Sequence, residues 1–125
     1  MRILLDTHIA LWVFAGDKRI NSVSNVILSN ETEIYISAAS WWEFAIKIGL
    51  GKLEADLKEL RWAARESGFI ELAVKGEHTE ALLQLPPIHK DPFDRLLVAQ
   101  AITEPMKLMT ANNKLDDYSE LIWKI

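Results

Sequence analysis

A chain of 125 residues, 50% hydrophobic and 26% charged, can bury one core but not two of ordinary size, so disorder is excluded and a single domain over residues 1–125 is expected. Without cysteine it can hold neither a disulfide nor a thiolate zinc site, and any metal must sit among oxygens or imidazoles. A formal charge of −4 argues against binding nucleic acid by overall basicity. It does not exclude a nuclease, because carboxylates gathered around a divalent ion raise the negative count without repelling phosphate.

Only three apolar residues, Ile3 to Leu5, precede the carboxylate of Asp6, too few for a signal-peptide core or a membrane span. A cytoplasmic protein with no membrane partner is expected. Arg2 to Leu5 has strand propensity, and a helical pattern follows through Ile9, Leu11, Trp12 and Phe14 until Gly16-Asp17 breaks it. Asn21-Ser22 can cap a second helix with Val23, Val26 and Ile27 on one side. Glu33 to Ser37 reads as a second strand, and Ser37 or Ser40 opens a helix carrying Trp41, Trp42, Phe44 and Ile48 that ends near Gly49-Leu50-Gly51.

A helix from about Ala55 to Glu66 closes at Ser67-Gly68, and Phe69 to Leu72 reads as a third strand. Glu77 to Leu85 suits a short helix stopped by Pro86-Pro87, while Pro92 suits the first turn of a long helix through Ile102. Met106 to Met109 reads as a fourth strand, Asn112 to Asp116 as a helical turn, and Leu121 to Ile125 as an edge strand. Strand and helix alternation with apolar strand runs predicts a three-layer α/β/α sandwich around a mostly parallel sheet of four to five strands.

Ligands of open parallel sheets bind beyond the carboxyl ends of the strands. Asp6 ends the first strand, Glu43 lies early in the helix after the second, and Asp94 lies in the first turn of the helix opened by Pro92, so all three acids can face one rim. Three converging carboxylates need a counter-charge, and hard oxygen ligands fit Mg2+ or Mn2+. A water polarised by such an ion could attack a phosphodiester, leaving a 5′-phosphate and a 3′-hydroxyl. Each residue also has an ordinary reading: Asp6 as an N-cap, Glu43 as an ion-pair partner of Lys47, Asp94 as a helix-dipole partner. The five tryptophans read as core and interface packing rather than base-stacking platforms. His8 and His89 read as satisfied polar residues near loops that could alternatively meet phosphate or metal.

The strings Leu4-Leu5-Asp6-Thr7-His8, Ser37-Ala38-Ala39-Ser40-Trp41-Trp42-Glu43 with Lys47 and Gly51-Lys52-Leu53, and His89-Lys90-Asp91-Pro92-Phe93-Asp94-Arg95 through Ala101 resemble PIN domains of VapC-type toxins across nearly the whole chain. The resemblance implies a metal-dependent endoribonuclease of a toxin-antitoxin pair, with RNA as substrate, an antitoxin protein as inhibitor and a homodimeric assembly. It implies Asp6, Glu43 and Asp94 as catalytic, metal-binding acids, with Thr110 as a hydroxyl near the site and Thr7 as a secondary position.

The chain departs from the family where Thr110-Ala111-Asn112 replaces the common Thr-x-Asp, so Asn112 is expected as an amide ligand and one well-held ion is expected rather than two. Asp91 reads as a cap of the long helix or a secondary acid, and Asp116 and Asp117 as solvated turn residues. Lys47, Lys52 and Arg95 are weak candidates for RNA phosphates, as are Arg61 and Arg65. A dehalogenase-like phosphohydrolase would want a second Asp two residues after Asp6, where His8 stands. A non-catalytic PIN-like module that binds RNA or a partner protein stays open because of Asn112.

Overall fold

A computed structural model describes all residues, Met1–Ile125. In chain order the elements are β1 (Arg2–Leu5), α1 (Thr7–Ala15), a 3-10 turn (Lys18–Ile20), α2 (Ser24–Ile27), β2 (Glu33–Ser37), α3 (Ala38–Gly49), α4 (Leu57–Glu66) and β3 (Ile70–Leu72). There follow α5 (Gly76–Leu82), α6 (Pro92–Thr103), β4 (Lys107–Thr110), a 3-10 helix (Asn113–Tyr118) and β5 (Ile122–Lys124). The five strands form one sheet in the order β3-β2-β1-β4-β5, and every pairing is parallel, including the edge strand β5.

The strands are apolar on both faces because both faces are covered. Ile3, Leu5, Ile34, Ile36 and Met109 pack on one side with Ile9, Trp41 and Phe44, whereas Leu4 and Leu108 turn to the other side and meet Leu97, Val98, Ala101 and Leu115. The alternation is the two-residue period of a strand, applied between two helical layers. No helix is long and apolar enough to cross a membrane.

Local chemistry sets the element ends. Gly16 closes α1 in the left-handed conformation, with φ 64°. Ser37 caps α3 by accepting the Ala39 N–H. The helix expected from Ala55 begins at Leu57, because the Asp56 side chain accepts the Glu59 N–H and fixes the start there. The second helix is a single turn, Ser24–Ile27; Asn21 serves it through its carbonyl, which accepts the Ser24 hydroxyl at 3.1 Å, instead of through a side-chain cap. The turn expected at Asn112–Asp116 runs on as a 3-10 helix to Tyr118, where burial of Leu115 and Tyr118 anchors it.

From β1 the chain winds outward to β2 and β3, then returns to place β4 on the opposite side of β1. The winding direction reverses between β1 and β4, which makes their carboxyl ends the place where connections diverge and a ligand can enter. Asp6 and Thr110 stand there, with the Asp6 N–H bonded to the Met109 carbonyl at 3.0 Å.

Phe44 is 1% exposed and meets the Trp41 ring at 5.6 Å, so it is a central part of the core between β2 and α3. Phe44→Ala is expected to cost about 3–5 kcal/mol, read as a lowered urea midpoint at unchanged slope. Trp62→Ala on the exposed face of α4 should stay within about 0.5 kcal/mol.

Candidate metal centre

The three acids named from the sequence share one rim. Asp6 follows β1 directly and is 2% exposed. Although it occupies the N-cap position of α1, its side chain makes no capping hydrogen bond, so the ordinary reading of an Asp before a helix does not apply. The Thr110 hydroxyl donates to its Oδ2 at 2.6 Å, and its Oδ1 is buried without any hydrogen-bond partner. A buried carboxylate oxygen left unpaired is costly, and it is what a cation-binding group looks like before the cation is considered.

Glu43, in the second turn of α3, is half-buried; its Oε2 pairs with Lys47 Nζ at 3.3 Å, the i to i+4 contact expected from the spacing. Asp94, in the first turn of α6, receives two donors on one oxygen: Oδ2 lies 2.8 Å from His89 Nε2 and 3.3 Å from Asn112 Nδ2. A common pattern follows. In each acid one oxygen is held by a neighbouring donor and the other carries no hydrogen bond.

Electrostatics couple Asp6 to each of the other two acids. Burial pushes the Asp6 carboxyl up from its ordinary value; the Thr110 hydrogen bond and the ring and amide of His8 pull it down, and the charge of Glu43 raises it further. The His8 amide exerts this pull without a hydrogen bond of proper geometry. Asp94 is likewise raised, first by burial and then by the charge of Asp6, against the lowering effect of His89. Burial is the larger cause in both, and the charge of a neighbouring acid adds to it. The donor set fits a hard divalent ion: carboxylates with unshared oxygens, hydroxyls nearby, no sulfur.

The remaining candidates fall into place less uniformly. Thr110 also accepts the Asn112 N–H at 3.0 Å and so links Asp6 to Asn112. Asn112, expected as an amide ligand, accepts the Lys114 N–H through Oδ1 at 3.0 Å, which starts the 3-10 helix, and donates to Asp94 through its amide nitrogen. Thr7 is buried and its hydroxyl donates to Ser40 Oγ at 3.0 Å, fastening α1 to α3 beneath the acids rather than joining them. Asp91 is the cap, its Oδ1 accepting the Phe93 and Asp94 N–H groups at 2.9 and 3.1 Å.

Arg95, a weak candidate for RNA phosphate, has its guanidinium engaged by the carbonyls of Leu82, Pro86 and His89 and by the Tyr118 hydroxyl. Arg61 likewise is taken, by Glu71 at 2.9 Å. Lys52 is exposed and unpaired, and Asp116 and Asp117 are exposed. Ser40, Tyr118 and the direct contact of His89 with Asp94 are site features the sequence did not single out. Ser40 carries a usable signal, a polar residue on the buried side of an apolar helix, whereas nothing near Tyr118 in the chain points to Asp94.

A second group of potential ligands, Glu77, His78 and Glu104, has its ligand atoms within 4.8 Å of one another. Its histidine is already committed: Nδ1 accepts the Lys75 N–H at 3.0 Å and Nε2 lies 2.6 Å from Glu104 Oε2. With both ring nitrogens engaged, His78 ties α5 to the end of α6 and offers no lone pair to a metal. Ten residues of helix, about 15 Å, separate Glu104 from Asp94.

The comparisons bear on the fold and the family. Ribonuclease VapC22 of Mycobacterium tuberculosis is 25% identical over 115 residues, which cover 90% of this chain and 88% of that protein. Among solved structures, the fold matches a chain of VapBC2 from Rickettsia felis bound to a DNA fragment from their promoter, with TM-score 0.73 and 19% identity over 98% of this chain and 96% of that one. It also matches a chain of a toxin-antitoxin complex from Klebsiella pneumoniae, with TM-score 0.69 and 19% identity over 98% and 99% of the two chains. The PIN domain family model matches residues 3–121, and on that match, which takes in every acid of the site, the chain belongs to the PIN domain family.

Proposed function

We propose that the chain is a metal-dependent endoribonuclease acting as the toxin of a toxin-antitoxin pair, with Asp6, Glu43 and Asp94 holding Mg2+ or Mn2+. The observation that carries this reading is the buried Asp6 Oδ1, unpaired in a cluster where two acids already resist ionisation. A bound divalent ion supplies the missing counter-charge and Lewis acidity toward water and the phosphodiester. The chain does the positioning: Thr110 holds Asp6, Lys47 holds Glu43, and His89 and Asn112 hold Asp94. Lys52, exposed beyond the end of α3, is a basic residue free to meet RNA phosphate.

The relatives' names support the toxin role, since one is a ribonuclease and two belong to toxin-antitoxin assemblies. Exposed apolar residues on α3, just past its end and on α4, namely Trp42 at 62%, Leu50 at 64% and Trp62 at 62%, suit an antitoxin or a second copy of the chain. Asn112 favours one competing reading, a PIN-like module without catalysis that binds RNA or a partner, because the amide replaces an acid next to Asp94.

RNA cleavage by antitoxin-free protein separates the two. Cleavage is expected with Mg2+ or Mn2+, none with chelator, and a loss of at least about a hundredfold in Asp6→Asn, since even outer partners of metal ligands are worth 10–100-fold. If the native chain cleaves nothing while Asn112→Asp does, the module reading stands instead.

The same acids predict a pH dependence in chelator. Because the folded carboxyls of Asp6 and Asp94 are raised above the ordinary 3.8, the folded chain binds protons more tightly than the unfolded one. Their contribution to stability is therefore complete below that value and is lost as pH rises through the raised ones. Asp6→Asn removes one of these groups, so the melting temperature of the variant relative to native protein should climb with pH across that window. Added Mn2+ should stabilise native protein and leave Asp6→Asn nearly unmoved.

A further inference from the structure

The segment between α5 and α6 is fastened more firmly than a surface connection needs to be, and the fastening converges on one residue. The His89 N–H donates to Tyr118 Oη at 2.8 Å, and the same hydroxyl lies 3.3 Å from the His89 carbonyl, to which it donates. Arg95 reaches that hydroxyl at 3.3 Å while also holding the carbonyls of Pro86 and Leu82, at 3.1 and 3.3 Å. Pro86 and Pro87 restrict the backbone further. Tyr118 is itself buried at the end of the 3-10 helix, so the anchor belongs to the core.

The product of this scaffold is a ring nitrogen, His89 Nε2, 2.8 Å from Asp94 Oδ2. As a ligand to a divalent ion Asp94 would be ionised and only accept, and Nε2 would then carry the hydrogen. Asn112 Nδ2 donates to the same oxygen, from 3.3 Å. Two donors on Oδ2 fix the rotation of the carboxylate about its own axis and leave Oδ1 as the oxygen without a hydrogen bond.

We propose that His89 is a positioning residue: held by Tyr118 and Arg95, it orients Asp94 so that Oδ1 is presented to a divalent cation. This rests on the reading of Asp94 as a metal ligand. Hydrogen bonds to the second oxygen of a ligating carboxylate raise affinity by removing the wrong rotations before the ion arrives. A rigid loop makes the effect larger, since little freedom remains to be lost when the ion binds. Sequence alone hides this, because Tyr118 stands 24 residues beyond Asp94 and lies outside the conspicuous motif.

The test is Mn2+ affinity, measured by titration calorimetry or by the loss of the free-ion paramagnetic signal, for the native chain and for His89→Ala, His89→Gln, Tyr118→Phe and Asp94→Asn. His89→Ala should weaken Mn2+ binding about tenfold, and His89→Gln, whose amide can donate from the place of Nε2, should recover to within about threefold of native. Tyr118→Phe, which removes the partner of the His89 N–H and leaves the His89 carbonyl only its 3.5 Å contact with Arg95, should fall between native and His89→Ala. The proposal is overturned if His89→Ala binds Mn2+ as well as native or better, or if His89→Gln is as weak as His89→Ala.

Should His89→Ala not fold, the ranking of native, His89→Gln and Tyr118→Phe decides, and Mn2+ affinities equal in Tyr118→Phe and native overturn the proposal. Asp94→Asn separates the two levels of inference. Loss of Mn2+ binding in Asp94→Asn with unchanged binding in His89→Ala defeats the role of His89 alone. Unchanged binding in Asp94→Asn defeats the metal-site reading beneath it.

Discussion

The rest of the site is arranged around one carboxylate that cannot leave the protein interior. Asp6 is fixed twice, through its backbone N–H to the Met109 carbonyl and through Oδ2 to the Thr110 hydroxyl, and both partners belong to the neighbouring central strand or its end. A surface acid denied a counter-charge can turn into water. Asp6 cannot, so a proton or a cation has to come to it, and that requirement governs which neighbours are tolerable. Glu43 and Asp94 would be poor neighbours for a buried anion in any protein that did not bring a positive charge between them.

The start of α6 illustrates how competing effects resolve. Its N-terminus is favourable for an acid: Asp91 caps two amides, Pro92 presets the first turn, and the helix dipole favours negative charge at Asp94 by roughly 0.3–1 kcal/mol. Yet Asp94 is raised, because burial and the charge of Asp6 together outweigh the His89 hydrogen bond. Capping and burial therefore pull this carboxyl in opposite directions, and a counter-charge on its free oxygen would relieve the opposition.

The fold was legible in the sequence because its signals are local and periodic. The strands Arg2–Leu5 and Glu33–Ser37 coincide with apolar runs, and α6 begins at the Pro that presets its first turn. The errors lie where tertiary packing overrides local pattern, as at Tyr118, whose burial extends a 3-10 helix past its polar residues. The three acids were legible through topology, which sends the carboxyl end of each strand to one rim. Their partners were not, because hydrogen bonds such as Thr7 to Ser40 and Arg95 to Tyr118 join residues 33 and 23 positions apart. Arg95 shows the cost of reading charge by itself: a guanidinium beside an acidic motif suggests phosphate, but three backbone carbonyls and a hydroxyl engage it.

Asn112 then acquires a meaning that its departure from the family pattern does not convey. Its amide nitrogen stands 3.3 Å from Asp94 Oδ2, at a place where a carboxylate would set two anionic oxygens almost in contact, beside Asp6. At that separation the repulsion is on the order of a few kcal/mol even in the effective dielectric near a protein surface, and only additional positive charge could offset it. The amide reverses the sign of that contact, and its carbonyl is used to start the next helix. Under the proposed reading, the substitution removes the demand for a second ion and converts a fourth ligand into a donor that orients the third, leaving the site balanced around one cation.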